Sequence, residues 1–208
     1  GLTDIDIGAA FAYHREREAL ATMVLKPMDS PMEFGTVMLG EDGRVGRFVE
    51  KPTRAQVFSD TVNTGIYVLE PEALEFVRKD AKEDFANDVF PRILEAGKPL
   101  IGFVSGDYWL DIGSAGAYLR AHRDVMDGAV RAKTAWDKAP NGVFVAEDAA
   151  VDGGAVLEAP CYIGAGCVIG EGAKIGAYSV IGPGCAISGG ADIKRSVLWS
   201  GARAGARA

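Results

Sequence analysis

Residues 163–187 read IGAGCVIGEGAKIGAYSVIGPGCAI, with an isoleucine at every sixth position: Ile163, Ile169, Ile175, Ile181 and Ile187. The same phase holds back through Leu157, Val151 and Val145 and forward to Ile193 and Trp199, ten positions in all. A helix repeats at about 3.6 residues and a lone strand at about two, so neither produces this period. A second series, two residues earlier, is composed of smaller residues: Ala149, Ala155, Cys161, Cys167, Ala173, Ser179, Cys185, Ala191 and Val197. Glycine follows the aliphatic residue at Gly164, Gly170, Gly176 and Gly182. A short fixed period means that each unit buries its apolar face only by stacking on its neighbours. Six residues make one short strand and a turn, and three such strands close a triangular coil. The aliphatic side chain then lies inside, the small one beside it, and glycine allows the corner. Ile169 should point into the stack and Lys174 out of it.

This pattern resembles the hexapeptide repeat of left-handed parallel β-helices. The hand is what the resemblance implies, since crossover connections otherwise strongly prefer the right. The repeat specifies a fold and says almost nothing about function. It also places the three cysteines, Cys161, Cys167 and Cys185, at the small inward position. Buried thiols in a core are the expectation, with no disulfide framework and, for want of a histidine in this region, no metal site.

Upstream, the periodicity changes to strands alternating with helices, which argues for an α/β sheet. Residues 7–18, with Ile7 and Phe11, predict an amphipathic helix, for which Asp6 is a suitable N-cap. Residues 21–26 predict a buried strand. Segments 34–39 and 44–50 flank Glu41-Asp42-Gly43, a strong hairpin signal. A strand over 63–69 precedes a helix opening at Pro71. A helix over 85–95, strands over 100–104 and 108–112, and a helix over 114–126 complete the segment. The division is therefore 1–127 for an α/β portion, 128–141 for a linker and 142–208 for the β-helix. Gly1-Leu2-Thr3 reads as the tail of a strand-to-helix turn, and 201–208 keep a rough hexad rhythm without a capping element. Both ends thus look cut.

Across the 208 residues, 48% are hydrophobic and 25% charged, with a net charge of -7, which disfavours a broad surface for nucleic acid or anionic membrane. No apolar stretch approaches the ~20 residues of a membrane span, and no signal-peptide pattern opens the chain, so a cytoplasmic location is expected. His14 and His122 lie among charged residues on helices and read as solvated rather than as ligands or bases.

Four stretches carry candidate chemistry: Glu33-Phe34-Gly35, Val49-Glu50-Lys51-Pro52, Val62-Asn63-Thr64-Gly65-Ile66-Tyr67 and Trp109-Leu110-Asp111-Ile112-Gly113. In this order, and followed by hexapeptide repeats, they resemble the sugar-binding half of sugar-1-phosphate nucleotidyltransferases. Within that family the chain is most similar to mannose-1-phosphate guanylyltransferases with a C-terminal β-helix. The resemblance implies a partial Rossmann-like nucleotidyltransferase domain. It implies that Lys51 meets the phosphate of the sugar phosphate, Glu50 a sugar hydroxyl, and Asn63 with the Gly65 backbone further hydroxyls. Gly35 would contact the sugar through its backbone, and Asp111 would bind the Mg²⁺ that bridges the phosphates. These roles suit the groups: an ammonium is a mobile point charge, a carboxylate accepts from hydroxyls, and Mg²⁺ takes hard oxygen.

The implied reaction transfers a nucleotidyl group from GTP to mannose 1-phosphate, giving GDP-mannose and pyrophosphate; glucose 1-phosphate with another triphosphate is the second choice. The implied assembly is a homo-oligomer, and some relatives are fused to a sugar phosphomutase. The family's Gly-rich triphosphate loop and its earlier metal-binding aspartate are not among the 208 residues, which are therefore expected to be inactive alone. Two rivals remain. A non-catalytic regulatory paralogue would share the fold. A β-helix acyltransferase would need a histidine near the coils, and none lies between Val143 and Ala208.

Overall fold

The chain enters through a short strand, β1 (Leu2–Thr3), and turns into α1 (Ile7–Glu16) at Asp6, whose carboxylate accepts the Ala9 N–H at 2.9 Å. That is the N-cap role expected of Asp6. The computed structural model describes residues 1–29, 31–50, 53, 59–134, 139 and 141–208. They divide into two compact units, Thr3–Trp109 and Gly1–Leu2 with Leu110–Ala208.

In the first unit β2 (Ala21–Pro27), β3 (Thr36–Leu39), β4 (Val45–Val49), β5 (Thr61–Leu69) and β6 (Leu100–Val104) form a five-stranded mixed sheet in the order β4-β3-β5-β2-β6. Only the β2–β6 pair is parallel. Residues 21–25 of β2 are buried without a break, as in a strand covered on both faces. Ala21, Met23, Leu25 and Val37 pack on one face against Phe90 and Ile93 of α2 (Phe90–Glu95). Val24 packs on the other face with Ile5 and Ala10. The expected helix over 85–95 is a π-helical turn, Phe85–Val89, running into α2. The segment opened by Pro71 is a 3₁₀ helix, Pro71–Phe76.

Helix α1 corrects two expectations. Ile7 and Phe11 are 48% and 54% exposed, while Ala10 and His14 form the buried stripe. His14 is not solvated: it is 1% exposed, with Nδ1 2.8 Å from Thr22 Oγ1 and Nε2 3.3 Å from Glu70 Oε1. Alanine permits close approach to the sheet, and a histidine with two polar partners can follow it inside.

A short strand, β7 (Trp109–Leu110), marks the boundary between the units. In the second unit α3 (Ala115–Met126) packs on the solenoid. The Trp199 indole donates to the Tyr118 hydroxyl (3.2 Å), the Arg123 guanidinium lies 5.1 Å from the centre of the Tyr178 ring, and the Tyr178 hydroxyl donates to the Asp127 carboxylate (2.9 Å).

The repeat forms three parallel faces, as in a left-handed β-helix of hexapeptide repeats. One face holds β8 (Val143–Val145), β11 (Cys161–Ile163), β14 (Ser179–Ile181) and β17 (Val197–Leu198). The second holds β9 (Ala150–Val151), β12 (Val168–Ile169), β15 (Ala186–Ile187) and β18 (Arg203–Ala204), and the third β10 (Val156–Leu157), β13 (Lys174–Ile175) and β16 (Asp192–Ile193). Ile163, Ile169, Ile175, Ile181 and Ile187 fill the interior, and the three cysteines are free and buried beside them. Burial, with a smaller push from the Glu158 charge, raises the Cys161 thiol to about 11, so it is a packing group rather than a nucleophile.

Trp199 departs from the expected phase. It is 72% exposed, and Leu198 pairs with Ile181 in its place. The coil has lost one residue in the turn at Lys194-Arg195-Ser196. Left-handed backbone recurs every sixth residue at Gly166, Gly172, Tyr178, Gly184 and Gly190, then arrives after five at Arg195 (φ 49°). Val197 accordingly faces outward opposite Val180, rather than taking a small inner place. The glycines after the aliphatic positions also serve a different end from the expected one. A Cβ on Gly182 would stand 2.6 Å from the Leu198 carbonyl oxygen of the next coil, so glycine there allows close stacking. The left-handed corner residue is two places on, at Gly184 (φ 69°).

Candidate sugar-phosphate site

Strand register gathers the sequence candidates of the first unit. Thr36 pairs with Val49 on β4 and with Val62 on β5, so Gly35, Glu50 and Asn63 are near neighbours at the ends of three adjacent strands. The Asn63 N–H donates to the Gly35 carbonyl at 2.8 Å. Gly35 is buried, and a Cβ built on it would run into Glu50 Oε2 and stand 2.7 Å from the Phe48 ring. Glycine is thus required by space, and its position lets the Glu50 carboxylate lie over the backbone.

Asn63 faces the same side as Leu25, its cross-strand partner, and as Tyr67, which pairs with Met23. Its amide is oriented by two hydrogen bonds: Nδ2 donates to the Tyr67 hydroxyl (2.8 Å) and Oδ1 accepts the Gly65 N–H (3.0 Å). Gly65 lies at the crest of a bulge, with φ 77° and open space where a Cβ would be. Its glycine requirement is conformational, and the backbone there is exposed to an approaching ligand.

Tyr67 lies inside the Asn-Thr-Gly-Ile-Tyr stretch, where its residue type gives no separate signal of a role. Its ring packs edge-on to Phe90 at 4.8 Å and against Phe85 at 6.0 Å. Burial first, then the Asp84 and Glu50 charges, raise its pKa, against the Asn63 hydrogen bond that lowers it. The phenol stays protonated through the neutral range and can donate. Asp84 caps the π-helical turn, accepting from Asn87 N at 2.9 Å. Its closeness to Tyr67 had no sequence signal beyond an N-cap spacing, because Asp84 lies 17 positions after Tyr67.

Lys51 lies outside the described residues. Asp111 belongs to the second unit, where it is exposed. The alternative role of helix cap is filled by Ser114, whose Oγ accepts the Ala117 N–H at 3.2 Å. A Cβ on Gly113 would stand 3.1 Å from Asp111 Oδ2, so the carboxylate folds over a residue without a side chain. Among the described residues no group of three or more His, Cys, Asp or Glu could hold a metal by itself. Mg²⁺ keeps several waters and takes one or two carboxylates plus substrate phosphates. The exposed hard oxygens of Asp111 fit such a ligand. His122 is half-buried against the edge of Tyr118, and burial lowers its pKa, so it is neutral and packed rather than solvated. Among the described residues no helix is long and apolar enough to cross a membrane.

Comparison with known proteins agrees with both parts of this architecture. Residues 2–128 match the nucleotidyl transferase family and residues 154–189 the bacterial transferase hexapeptide repeat, six repeats long. A UTP–glucose-1-phosphate uridylyltransferase from Synechocystis sp. is 32% identical across 98% of this chain and 54% of its own length. A mannose-1-phosphate guanylyltransferase from Mycobacterium tuberculosis is 30% identical across 79% of this chain and 47% of its own. A glucose-1-phosphate adenylyltransferase from Desulfitobacterium hafniense is 28% identical across 59% and 32%. The chain spans about half the length of the first two of these curated relatives. With residues 2–128 in a mixed-sheet domain and a hexapeptide solenoid after it, the chain belongs to the nucleotidyl transferase family.

Proposed function

We propose that this chain carries the sugar-phosphate side of a sugar-1-phosphate nucleotidyltransferase. The observation that carries the reading is the meeting of Gly35, Glu50, Asn63 and Gly65 at one corner of adjacent strands. In this reading 1–127 are the sugar-phosphate half of the catalytic domain, 128–141 a linker and 142–208 the β-helix. A homo-oligomer and fusion to a sugar phosphomutase belong to the same reading.

A phosphate oxygen of the sugar 1-phosphate attacks the α-phosphorus of the triphosphate; that P–O bond forms as the bond to the pyrophosphate leaving group breaks. The nucleophile is already an anion, so no residue need act as a base. Asn63 and the Gly65 backbone hold hydroxyls, Glu50 accepts from another, and the Gly35 backbone lines the sugar. Lys51 neutralises the sugar phosphate and fixes its attacking oxygen, which serves positioning and charge. Asp111 would hold Mg²⁺, which when bound supplies charge neutralisation between the phosphates. The triphosphate loop of the family is not among the 208 residues, so binding of the sugar phosphate, not transfer, is expected of them alone.

Mannose 1-phosphate with GTP is the preferred pair, supported by the guanylyltransferase relatives. Glucose 1-phosphate with UTP is a second reading, favoured by the relative that matches 98% of the chain. Pyrophosphate release with each pair, measured on the 208 residues and on the complete polypeptide the gene encodes, tests both. Release by the complete polypeptide with one pair is expected; no release with any sugar 1-phosphate would overturn the proposal.

A further inference from the structure

Strand β5 departs from regular pairing at one place. Met23 pairs with Tyr67 and Leu25 with Asn63, so Thr64, Gly65 and Ile66 together stand opposite Val24 alone. Extra residues in one strand push it outward and leave the partner's polar groups without ladder bonds. A buried carbonyl left so would destabilise the strand. Val24 avoids this, because the Thr64 hydroxyl donates to its carbonyl at 2.7 Å. Thr64 Oγ1 in turn accepts the Ile66 N–H at 3.3 Å, and Thr64 is buried, at 9% exposure. A single side chain therefore ties both sides of the bulge.

The consequence reaches the residues on either side. Asn63 and Gly65 flank Thr64, and the Asn63 carboxamide is aimed by its bonds to Gly65 N–H and the Tyr67 hydroxyl. Both bonds are made with Gly65 at φ 77°, on the bulged stretch that contains Thr64. We propose that Thr64 is a positioning residue for sugar recognition: its hydroxyl holds the bulge that presents Asn63 and the Gly65 backbone to the sugar. This rests on the sugar-phosphate reading above. Thr64 touches no substrate; it acts through its neighbours.

Thr64→Ser and Thr64→Ala make a matched pair, since both remove the γ-methyl and only serine keeps the hydroxyl. Thr64→Val keeps the shape and removes the hydroxyl. Two measurements on the 208-residue chain separate the claims. Amide hydrogen exchange without ligand should show Gly65 and Ile66 losing protection about tenfold in Thr64→Ala and Thr64→Val, with Tyr67 unchanged and Thr64→Ser close to wild type. Calorimetric titration with mannose 1-phosphate and glucose 1-phosphate, well below the melting temperature, should show affinity about tenfold weaker in Thr64→Ala, recovered in Thr64→Ser. Protection and affinity alike in the alanine and serine variants would overturn the proposal, as would a lower melting temperature with unchanged affinity. Wild-type protein that binds no sugar 1-phosphate, yet shows the expected exchange pattern, would refute the functional reading and leave the bulge device intact.

Discussion

Replacing Ile169 with lysine tests the solenoid register at its most enclosed point. Ile169 is 1% exposed, paired between Val151 and Ile187 on neighbouring coils. Removing the isoleucine side chain from the interior forfeits about 1.5–3 kcal/mol of burial. The introduced amine would be forced into its neutral form. Holding a group of reference pKa about 10.4 neutral at pH 7 costs about 4–5 kcal/mol, at about 1.4 kcal/mol per unit. The sum, about 6–8 kcal/mol, is comparable with the whole stability of a typical domain, about 5–15 kcal/mol. Lys174→Glu is the control. Lys174 is exposed, with Asp192 opposite on the next coil, so the new like-charge pair should cost at most about 1 kcal/mol. Urea unfolding followed by circular dichroism should separate the two variants by several kcal/mol. The sign of the pH dependence is a second check. Below about pH 10.4 the unfolded chain protonates the amine and the folded chain does not, so stability should rise by up to about 1.4 kcal/mol per pH unit towards 10. Equal tolerance of the two substitutions, or an Ile169→Lys variant indifferent to pH, would refute the inward placement.

In the complete polypeptide, Asp111→Asn should lower kcat about a hundredfold or more, with partial recovery at high Mg²⁺, whereas Lys51→Ala should chiefly raise KM for the sugar phosphate without such rescue; steady-state kinetics across a Mg²⁺ titration distinguishes them. Wild-type kinetics for Asp111→Asn would reduce that residue to a turn carboxylate. Gly35→Ala should push aside Glu50 and the Phe48 ring, cost about 1–3 kcal/mol of stability and weaken sugar-phosphate binding by at least about tenfold, read by a melt and a titration. Glu83 is held below the usual carboxylate range, first by its hydrogen bond from Arg92 and then by the Arg78 N–H. Its contribution is present above about pH 4.3 and is lost as pH falls through its lowered pKa, so Glu83→Gln should lower stability at pH 7 and flatten the acid limb of the stability–pH curve.

The solenoid was legible because a period of six is written in residue type alone, from Val145 to Ile193. It misled at Trp199 for a physical reason. Leu198 and Trp199 are adjacent and both apolar, so a one-residue loss in the preceding turn leaves the pattern looking intact while the inner place passes to Leu198. Hairpin and strands of the first unit followed from turn residues and buried runs. The face of α1 did not, because Ile7 and Phe11 outrank Ala10 and His14 in hydrophobicity, yet a small residue and a doubly partnered histidine fit the sheet. At the candidate site the sequence indicated Gly35, Glu50, Asn63 and Gly65 through short motifs. Tyr67, Thr64 and Asp84 escaped it, since their contributions arise from a bulge and from a helix brought alongside by the sheet.

A sugar-phosphate half of a transferase within these 208 residues must bind a sugar 1-phosphate. Isothermal titration of the chain with mannose 1-phosphate and glucose 1-phosphate, against inorganic phosphate and the free sugars at equal concentration, addresses it directly. Saturable binding of a sugar 1-phosphate is expected, stronger than that of either half of the ligand alone, and weakened at least about tenfold by Asn63→Ala and by Lys51→Ala. Binding of no sugar 1-phosphate, or binding untouched by both substitutions, would contradict it.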